Sequence, residues 1–107
     1  ALLPSFPGTN VQQAAIDYGA KFSGCTVHFV DEGVDTGPVI IQAVVPVLPG
    51  DTADELASRI LRQEHKIYPQ AIRYFAQNRI VKKGRQVEIK GINYRERQVL
   101  HNPPLDD

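Results

Sequence analysis

The residues best suited to chemistry lie in one short segment, Asp31–Pro38, between two apolar stretches of the chain. Its glycines would let a ligand approach the main chain closely, because they carry no side chain. Its carboxylates could orient a histidine or take part in a proton relay, as in acid–base catalysis. The same acids would also suit a solvated connection between strands, and their spacing does not fit an EF-hand calcium loop. The segment contains three acids and two glycines: Asp31, Glu32, Asp35, Gly33 and Gly37.

Two further side chains extend this set. His28 lies on the stretch that enters the segment, where it could pair with Asp35 or serve only as a structural residue. Glu64 precedes Pro69 in a helical pattern and shares a helix face with Tyr68, four residues on. A carboxylate held at a helix bend could bind the amine of a substrate. A salt bridge on an exposed face is the alternative.

The composition of the 107 residues excludes several function classes. Twelve Lys and Arg residues balance twelve Asp and Glu residues, which argues against a nucleic-acid binder held by bulk positive charge. The apolar stretch Pro38–Pro49 is far shorter than the ~20 residues of a membrane-spanning helix. One cysteine, Cys25, supports neither a disulfide framework nor a metal site. These features predict a soluble, cytoplasmic protein of one domain with no metal, nucleic-acid or membrane partner.

The charges are unevenly distributed along the chain. Residues 1–58 carry one basic residue against seven acidic ones, and residues 59–107 carry eleven basic residues against five acidic ones. Two solvated faces of opposite sign would explain this distribution. The alternative is a basic C-terminal face that helps to collect an anionic substrate.

Start and stop signals predict two helices. The first has apolar residues at helical spacing within Val11–Tyr18. The second begins with a capping box formed by Thr52 and Glu55 and ends near Asn78. Pro69 lies inside its pattern and predicts a kink. The apolar stripe of this long helix contains Ala53, Leu56, Ile60, Ile67, Ala71 and Phe75.

Two main strands and a small hairpin complete the predicted elements. Cys25–Val30 and Val39–Val47 are rich in β-branched and aromatic residues, and the second is apolar on both faces, which favours an interior strand. Ile80–Lys82 and Gln86–Lys90 predict the hairpin, and residues 94–107 an extended tail. Two main strands make a poor sheet without another neighbour. The pattern therefore predicts an α/β fold in which residues 1–107 form one incomplete domain.

Three blocks of sequence resemble a known family. Residues 1–8, 24–40 and 63–69 resemble the C-terminal half of the phosphoribosylglycinamide formyltransferases, in order and in spacing. The middle block is typical of folate-dependent formyltransferase domains as a group, and the other two point to this member of the group. The apolar start at Ala1 agrees with a cut inside a larger domain.

The resemblance implies a Rossmann-like open mixed sheet, of which this chain would be the C-terminal, folate-binding half. The implied activity is formyl transfer from 10-formyltetrahydrofolate to the amine of glycinamide ribonucleotide, a step of purine biosynthesis, without a metal. The implied partners are folate, glycinamide ribonucleotide, the N-terminal half of the same domain and a second copy in a homodimer.

The resemblance also assigns roles to residues of this chain. Asp35 matches the catalytic aspartate, and His28 matches a supporting histidine near it. The family's catalytic asparagine and histidine belong to an Asn-x-His-Pro motif that would lie just before Ala1, so the chain alone is expected to be inactive. The folate-binding positions are Gly33, Val34, Asp35 and Gly37, and the nucleotide-binding positions are Gly8 and Glu64.

Related families leave alternatives open. Formyltetrahydrofolate hydrolase shares the middle block and uses water as the acceptor. Methionyl-tRNA formyltransferase has a similar segment, but it adds an RNA-binding domain for which the tail at 94–107 is too short. A folate-binding module without catalytic residues is the non-enzymatic interpretation.

Overall fold

The computed structural model describes residues 11–29, 37–96 and 99–106. The predicted order of elements is confirmed, since a helix, two strands, a long helix and a short hairpin follow one another along the chain. No helix within the described residues is both long and apolar enough to cross a membrane. The elements are α1 (Val11–Tyr18), β1 (Phe22–His28), β2 (Val39–Pro46), α2 (Ala53–Ala76), β3 (Ile80–Lys83), β4 (Gln86–Ile89) and a 3₁₀ turn (Tyr94–Glu96).

The strands β1 and β2 form an antiparallel pair that extends from Phe22 opposite Pro46 to Val27 opposite Ile41. β1 begins three residues earlier than the composition predicts, because backbone pairing with β2 continues past the β-branched stretch. Pro46 lies at the end of its strand, as predicted, where its missing N–H costs no ladder bond. The prediction that β2 is an interior strand is not met within the described residues, where it pairs with β1 alone.

The core lies where α2 packs across one face of this strand pair. Leu56 is fully buried, and it forms a cluster with Cys25, Val45 and Ile60. α2 begins at the predicted capping box: the Glu55 N–H donates to the Thr52 hydroxyl oxygen at 3.1 Å, and the Thr52 N–H donates to the Glu55 carboxylate at 3.3 Å. The two bonds satisfy amides that the first helical turn leaves unpaired.

The C-terminal half of α2 differs from the predicted apolar stripe. The helix runs through Pro69 without interruption. Phe75 is 69% exposed, whereas its neighbour Tyr74 is 8% exposed and takes the core position. The cause is the chain that follows the helix, because Arg79 turns back and places its guanidinium 4.9 Å from the centre of the Tyr74 ring.

The hairpin and the tail follow. β3 and β4 are joined by a two-residue turn in which Gly84 has a φ of +60°, a backbone conformation that favours glycine. In the part of the tail that the structure describes, residues 94–96 and 99–106, the 3₁₀ turn is the one regular element. It is held to the strand pair by Asn102, whose side-chain amide donates to the carbonyl oxygens of Lys21 at 2.6 Å and Val47 at 2.9 Å.

Candidate functional site

His28 lies at the end of β1, where the pairing with β2 becomes irregular. Val27 is opposite Ile41, but His28 is opposite Val39, so Ile40 is an extra residue that forms a β-bulge. The His28 ring is half-buried, and its Nδ1 lies 2.9 Å from the carbonyl oxygen of Phe29. Because a carbonyl oxygen can only accept, Nδ1 carries the proton in this contact. The contact therefore fixes the orientation of the predicted histidine at the bulge, with Nδ1 as the donor.

A tight backbone contact follows the bulge. The Phe29 N–H donates to the Pro38 carbonyl at 2.9 Å, which brings the two ends of the connection between β1 and β2 together. A Cβ atom at Gly37 would lie 1.6 Å from the Phe29 carbonyl oxygen, so no other residue fits there without moving the backbone. Position 37 therefore requires glycine for a steric reason, independent of any ligand.

The connecting segment, defined here as residues 30–36, lies outside the described residues. It contains three predicted site residues, Gly33, Val34 and Asp35, and the predicted nucleotide-binding residue Gly8 also lies outside the described ranges. Of the predicted set, the structure therefore places His28, Gly37 and Glu64.

Glu64 lies on the face of α2 that packs against β1. It follows the buried Ile60 by four residues and precedes the core-packed Ile67 by three, and it is itself half-buried. Burial raises the pKa of the Cys25 thiol, and the negative charge of Glu64 raises that pKa further. Within the residues that the structure describes, no cation forms an ion pair with Glu64. The described residues therefore give no support to the alternative of a salt bridge on an exposed face, and the role of Glu64 stays a prediction.

The structure does not bring Glu64 and His28 together. The charge of Glu64 acts on the Cys25 thiol, so Glu64 lies near Cys25. Cys25 and His28 are three residues apart on β1, which is about 10 Å along a strand. Alternation along the strand also sends their side chains to opposite faces, with Cys25 toward α2 and His28 away from it. Any shared substrate would have to extend around the end of β1.

An apolar groove of about 270 Å³ lies beside the end of β1, on its α2 side. It has almost no polar surface and therefore suits the side of an aromatic ring or apolar side chains from another chain segment. The sequence analysis does not predict it, because four of its residues lie on the long helix, where their exposure depends on tertiary packing. The groove is lined by Val27, Phe29, Ile40, Tyr68, Ala71, Ile72, Phe75 and Ile80.

Two basic residues of the small hairpin reach the ends of the connecting segment. The Lys82 Nζ lies 5.6 Å from the centre of the Phe29 ring, and the Arg85 Nη2 lies 3.5 Å from the Gly37 carbonyl oxygen. Sequence reasoning missed both contacts, because each joins residues that are far apart in the chain. Arg85 and Gly37, for example, are separated by 48 residues. The uneven charge along the chain was the one signal that pointed toward this region.

Metal chemistry has no visible site within the described ranges. No group of three His, Cys, Asp or Glu side chains is arranged there to hold a metal ion.

Known proteins match the blocks that carry these residues. The family described as formyl transferase matches residues 1–72. The trifunctional purine biosynthetic protein adenosine-3 of Drosophila melanogaster is 57% identical over 72 residues, which are 67% of this chain and 5% of that protein. The crystal structure of glycinamide ribonucleotide transformylase 1 from Symbiobacterium toebii has a TM-score of 0.76 and 59% identity, over 82% of this chain and 42% of that chain. A formyltetrahydrofolate deformylase from Pseudomonas syringae has the same TM-score but 28% identity, over 82% of this chain and 30% of that chain.

These matches decide the family and the fold class. The chain spans less than half the length of the proteins that it matches. The predicted α/β class is confirmed by the likeness to solved formyltransferases. Because the family match includes all three blocks and covers more than half of the chain, this chain belongs to the formyl transferase family.

Proposed function

We propose that this chain is the folate-binding half of an enzyme that transfers a formyl group from 10-formyltetrahydrofolate to the amine of glycinamide ribonucleotide. The observation that carries the proposal is the match of residues 1–72, which contains all three sequence blocks, together with the 59% identity to a glycinamide ribonucleotide transformylase. The reaction balances without a further reactant. The amine nitrogen attacks the formyl carbon, the bond from that carbon to the folate N10 breaks, and one proton moves from the amine to N10.

The bulged end of β1 suits the folate side of this reaction. Gly33, Val34, Asp35 and Gly37 would present main-chain groups to the pterin ring, and Gly37 lies so close to the Phe29 carbonyl that only glycine fits there. Asp35 would orient the catalytic histidine supplied by the N-terminal half and favour its charged form. His28, with its Nδ1 proton committed to the Phe29 carbonyl, would support Asp35 from the strand end.

The half-buried Glu64 suits the nucleotide side. A carboxylate without a described cationic partner, set in an apolar stripe, gains a favourable contact when a substrate amine reaches it. Gly8 would contact the same nucleotide. In this proposal the partners are folate, glycinamide ribonucleotide, the N-terminal half of the domain and a second copy in a homodimer, in the cytoplasm.

Formyltetrahydrofolate hydrolysis is the second candidate. Its support is the deformylase that shares the fold with a TM-score of 0.76. The identity of 28% to that deformylase, against 59% to the transformylase, favours the transferase.

The test is formyl release from 10-formyltetrahydrofolate by the complete formyltransferase that contains this chain, with and without glycinamide ribonucleotide. The transferase proposal predicts release that requires the nucleotide and yields formylated nucleotide in equal amount. Formate release without the nucleotide would support the hydrolase. Binding of folate without any release would support a non-catalytic module.

A further inference from the structure

We infer that the β3–β4 hairpin is a positioning element for Phe29 and Gly37, with Lys82 contacting Phe29 and Arg85 contacting Gly37. The inference rests on the proposed function, because Gly37 is one of the proposed folate-binding residues. It adds two positioning residues that lie far from Phe29 and Gly37 in sequence.

The first contact is at the entry to the segment. The Lys82 ammonium lies 5.6 Å from the centre of the Phe29 ring, within the range of a cation–π contact. Phe29 is the residue whose N–H closes the base of the connection by donating to Pro38. A cation on its ring therefore restrains the backbone that enters the segment.

The second contact is at the exit. The Arg85 guanidinium lies 3.5 Å from the Gly37 carbonyl oxygen, at the long limit for a hydrogen bond. Gly37 has no freedom to approach Phe29 further, because its α-carbon already lies against the Phe29 carbonyl. Arg85 and Phe29 thus confine Gly37 from two sides.

The hairpin is built so that one face can do this. Residues directly opposite in an antiparallel pair share a face, and Lys82 is opposite Val87 while Ile80 is opposite Ile89. Ile89 is buried and Ile80 lines the apolar groove beside Phe29, so this face points toward the strand pair. Lys83 is opposite Gln86 on the other face, which makes it a matched control with the same charge.

Simple electrostatic collection of an anionic substrate is the competing explanation. It predicts that Lys82, Lys83 and Arg85 contribute alike, since exposed charges on one short hairpin act over similar distances. Positioning predicts that only the two residues with contacts matter.

The experiment compares Arg85→Ala, Lys82→Ala and Lys83→Ala in the complete formyltransferase, with Arg85→Lys as the conservative variant. We expect Arg85→Ala to raise the KM for 10-formyltetrahydrofolate about five- to tenfold, the loss of one charge-assisted contact, with the KM for the nucleotide unchanged. Lys82→Ala should act in the same direction, Arg85→Lys should recover part of the loss, and Lys83→Ala should match the parent.

Three results would overturn the inference. An equal rise in the KM for 10-formyltetrahydrofolate in all three alanine variants would indicate collection by charge. A lower melting temperature with both KM values unchanged would indicate a purely structural role, and the third result is no change in any variant. Hydrogen exchange of a peptide spanning residues 27–40 provides a readout that is independent of turnover. It should be faster in Arg85→Ala than in Lys83→Ala even if the enzyme proves to be a hydrolase, which would refute the proposed function alone.

Discussion

The two hairpins of this chain use the same antiparallel pairing and differ at their connections. β1 and β2 pair over seven and eight residues, have a bulge at Ile40 and are joined by residues 29–38. β3 and β4 pair over four residues each, without a bulge, and are joined by Gly84 and Arg85 alone. The short turn fixes its own geometry, because glycine at the first turn position supplies the required backbone conformation. The described ends of the long connection are held by contacts with other residues, since Phe29 bonds to Pro38 and Gly37 lies near Arg85. Long connections of this kind commonly carry functional residues.

Support for the two hairpins also comes from different sources. The first has a core under it, where Leu56 and Ile60 of α2 pack against Cys25 and Val45. The second hairpin is too small to be stable by itself, and it packs against the first through Ile89 and Ile80. This difference in packing agrees with the proposal, in which the end of the first hairpin carries the reacting groups and the second hairpin supports it.

The strongest test of this comparison is to change Asp35, one of the three acids in the long connection. Asp35→Asn should lower kcat in the complete formyltransferase by about 10²- to 10⁴-fold, the usual range for a group in acid–base catalysis, and leave the melting temperature unchanged. Asp54→Asn is the control, because Asp54 is an exposed residue of the first turn of α2. Turnover near that of the parent would remove Asp35 from the mechanism.

The second prediction concerns Glu64 on α2, the helix that packs against the other face of β1. Glu64→Gln should raise the KM for glycinamide ribonucleotide about 10- to 100-fold, since it removes a charged hydrogen-bond partner of the amine, and it should spare the KM for folate. Steady-state kinetics with each substrate varied in turn measures the split. Glu88→Gln, an exposed acid on the second hairpin, serves as the control. Equal losses for both substrates would make Glu64 a structural residue.

A third prediction compares two glycines at opposite ends of β2. Gly37→Ala should lower kcat/KM for folate about tenfold or more, because the new Cβ forces Phe29 and Pro38 apart. Gly50→Ala has open space but a φ of +79°, so it should lower stability by about 1 kcal/mol and leave turnover unchanged. Thermal unfolding and turnover of both variants test this. The comparison fails if the two variants reverse their effects.

The smallest expected effect is a pH dependence at that far end of β2. Arg59 makes two contacts of 2.8 and 2.9 Å with the Asp51 carboxylate, which also accepts from the Leu48 N–H at 2.7 Å. The hydrogen bond from Arg59, helped by that from Leu48, lowers the pKa of Asp51 from its usual 3.8 to about 2. A lowered carboxyl pKa stabilises the fold above the unfolded-state value, and this stabilisation is lost as the pH falls from about 4 toward 2.

Melting temperatures of the parent and of Asp51→Asn across that pH window provide the measurement. The parent should be the more stable protein at pH 6, and the difference should shrink as the pH approaches 2. A constant difference from pH 6 to pH 2 would contradict the assignment of this pKa.

Local signals in the sequence predicted the helices well. The capping box at Thr52 and Glu55 fixes the start of α2, and Asn78, with a φ of +56°, follows its end, because both depend on neighbouring residues only. The bulge at Ile40 and the contact between Arg85 and Gly37 depend on pairing between distant segments, which single-sequence patterns do not encode. The exchange of Tyr74 for Phe75 in the core has the same cause, since Arg79 covers Tyr74 only after the chain turns back.

For the candidate site, the sequence predicts individual residues, and the structure shows how the described ones are arranged in space. The sequence predicts Gly37 as a position for ligand approach, and the structure adds the steric reason that it must be glycine. The sequence predicts His28 and Glu64 from separate patterns. In the structure, α2, which carries Glu64, packs on one face of β1, and the His28 side chain lies on the other face. Lys82 and Arg85 had no local motif, so only tertiary contacts could reveal them.

The most direct test of where chemistry lies is amide hydrogen exchange of the complete formyltransferase with and without 10-formyltetrahydrofolate. The account predicts slower exchange in peptides spanning residues 27–40 when folate is bound, and unchanged exchange in α1. Protection confined to α1 or to the far end of β2, with none at residues 27–40, would contradict the claim that folate binds at the bulged end of the first hairpin.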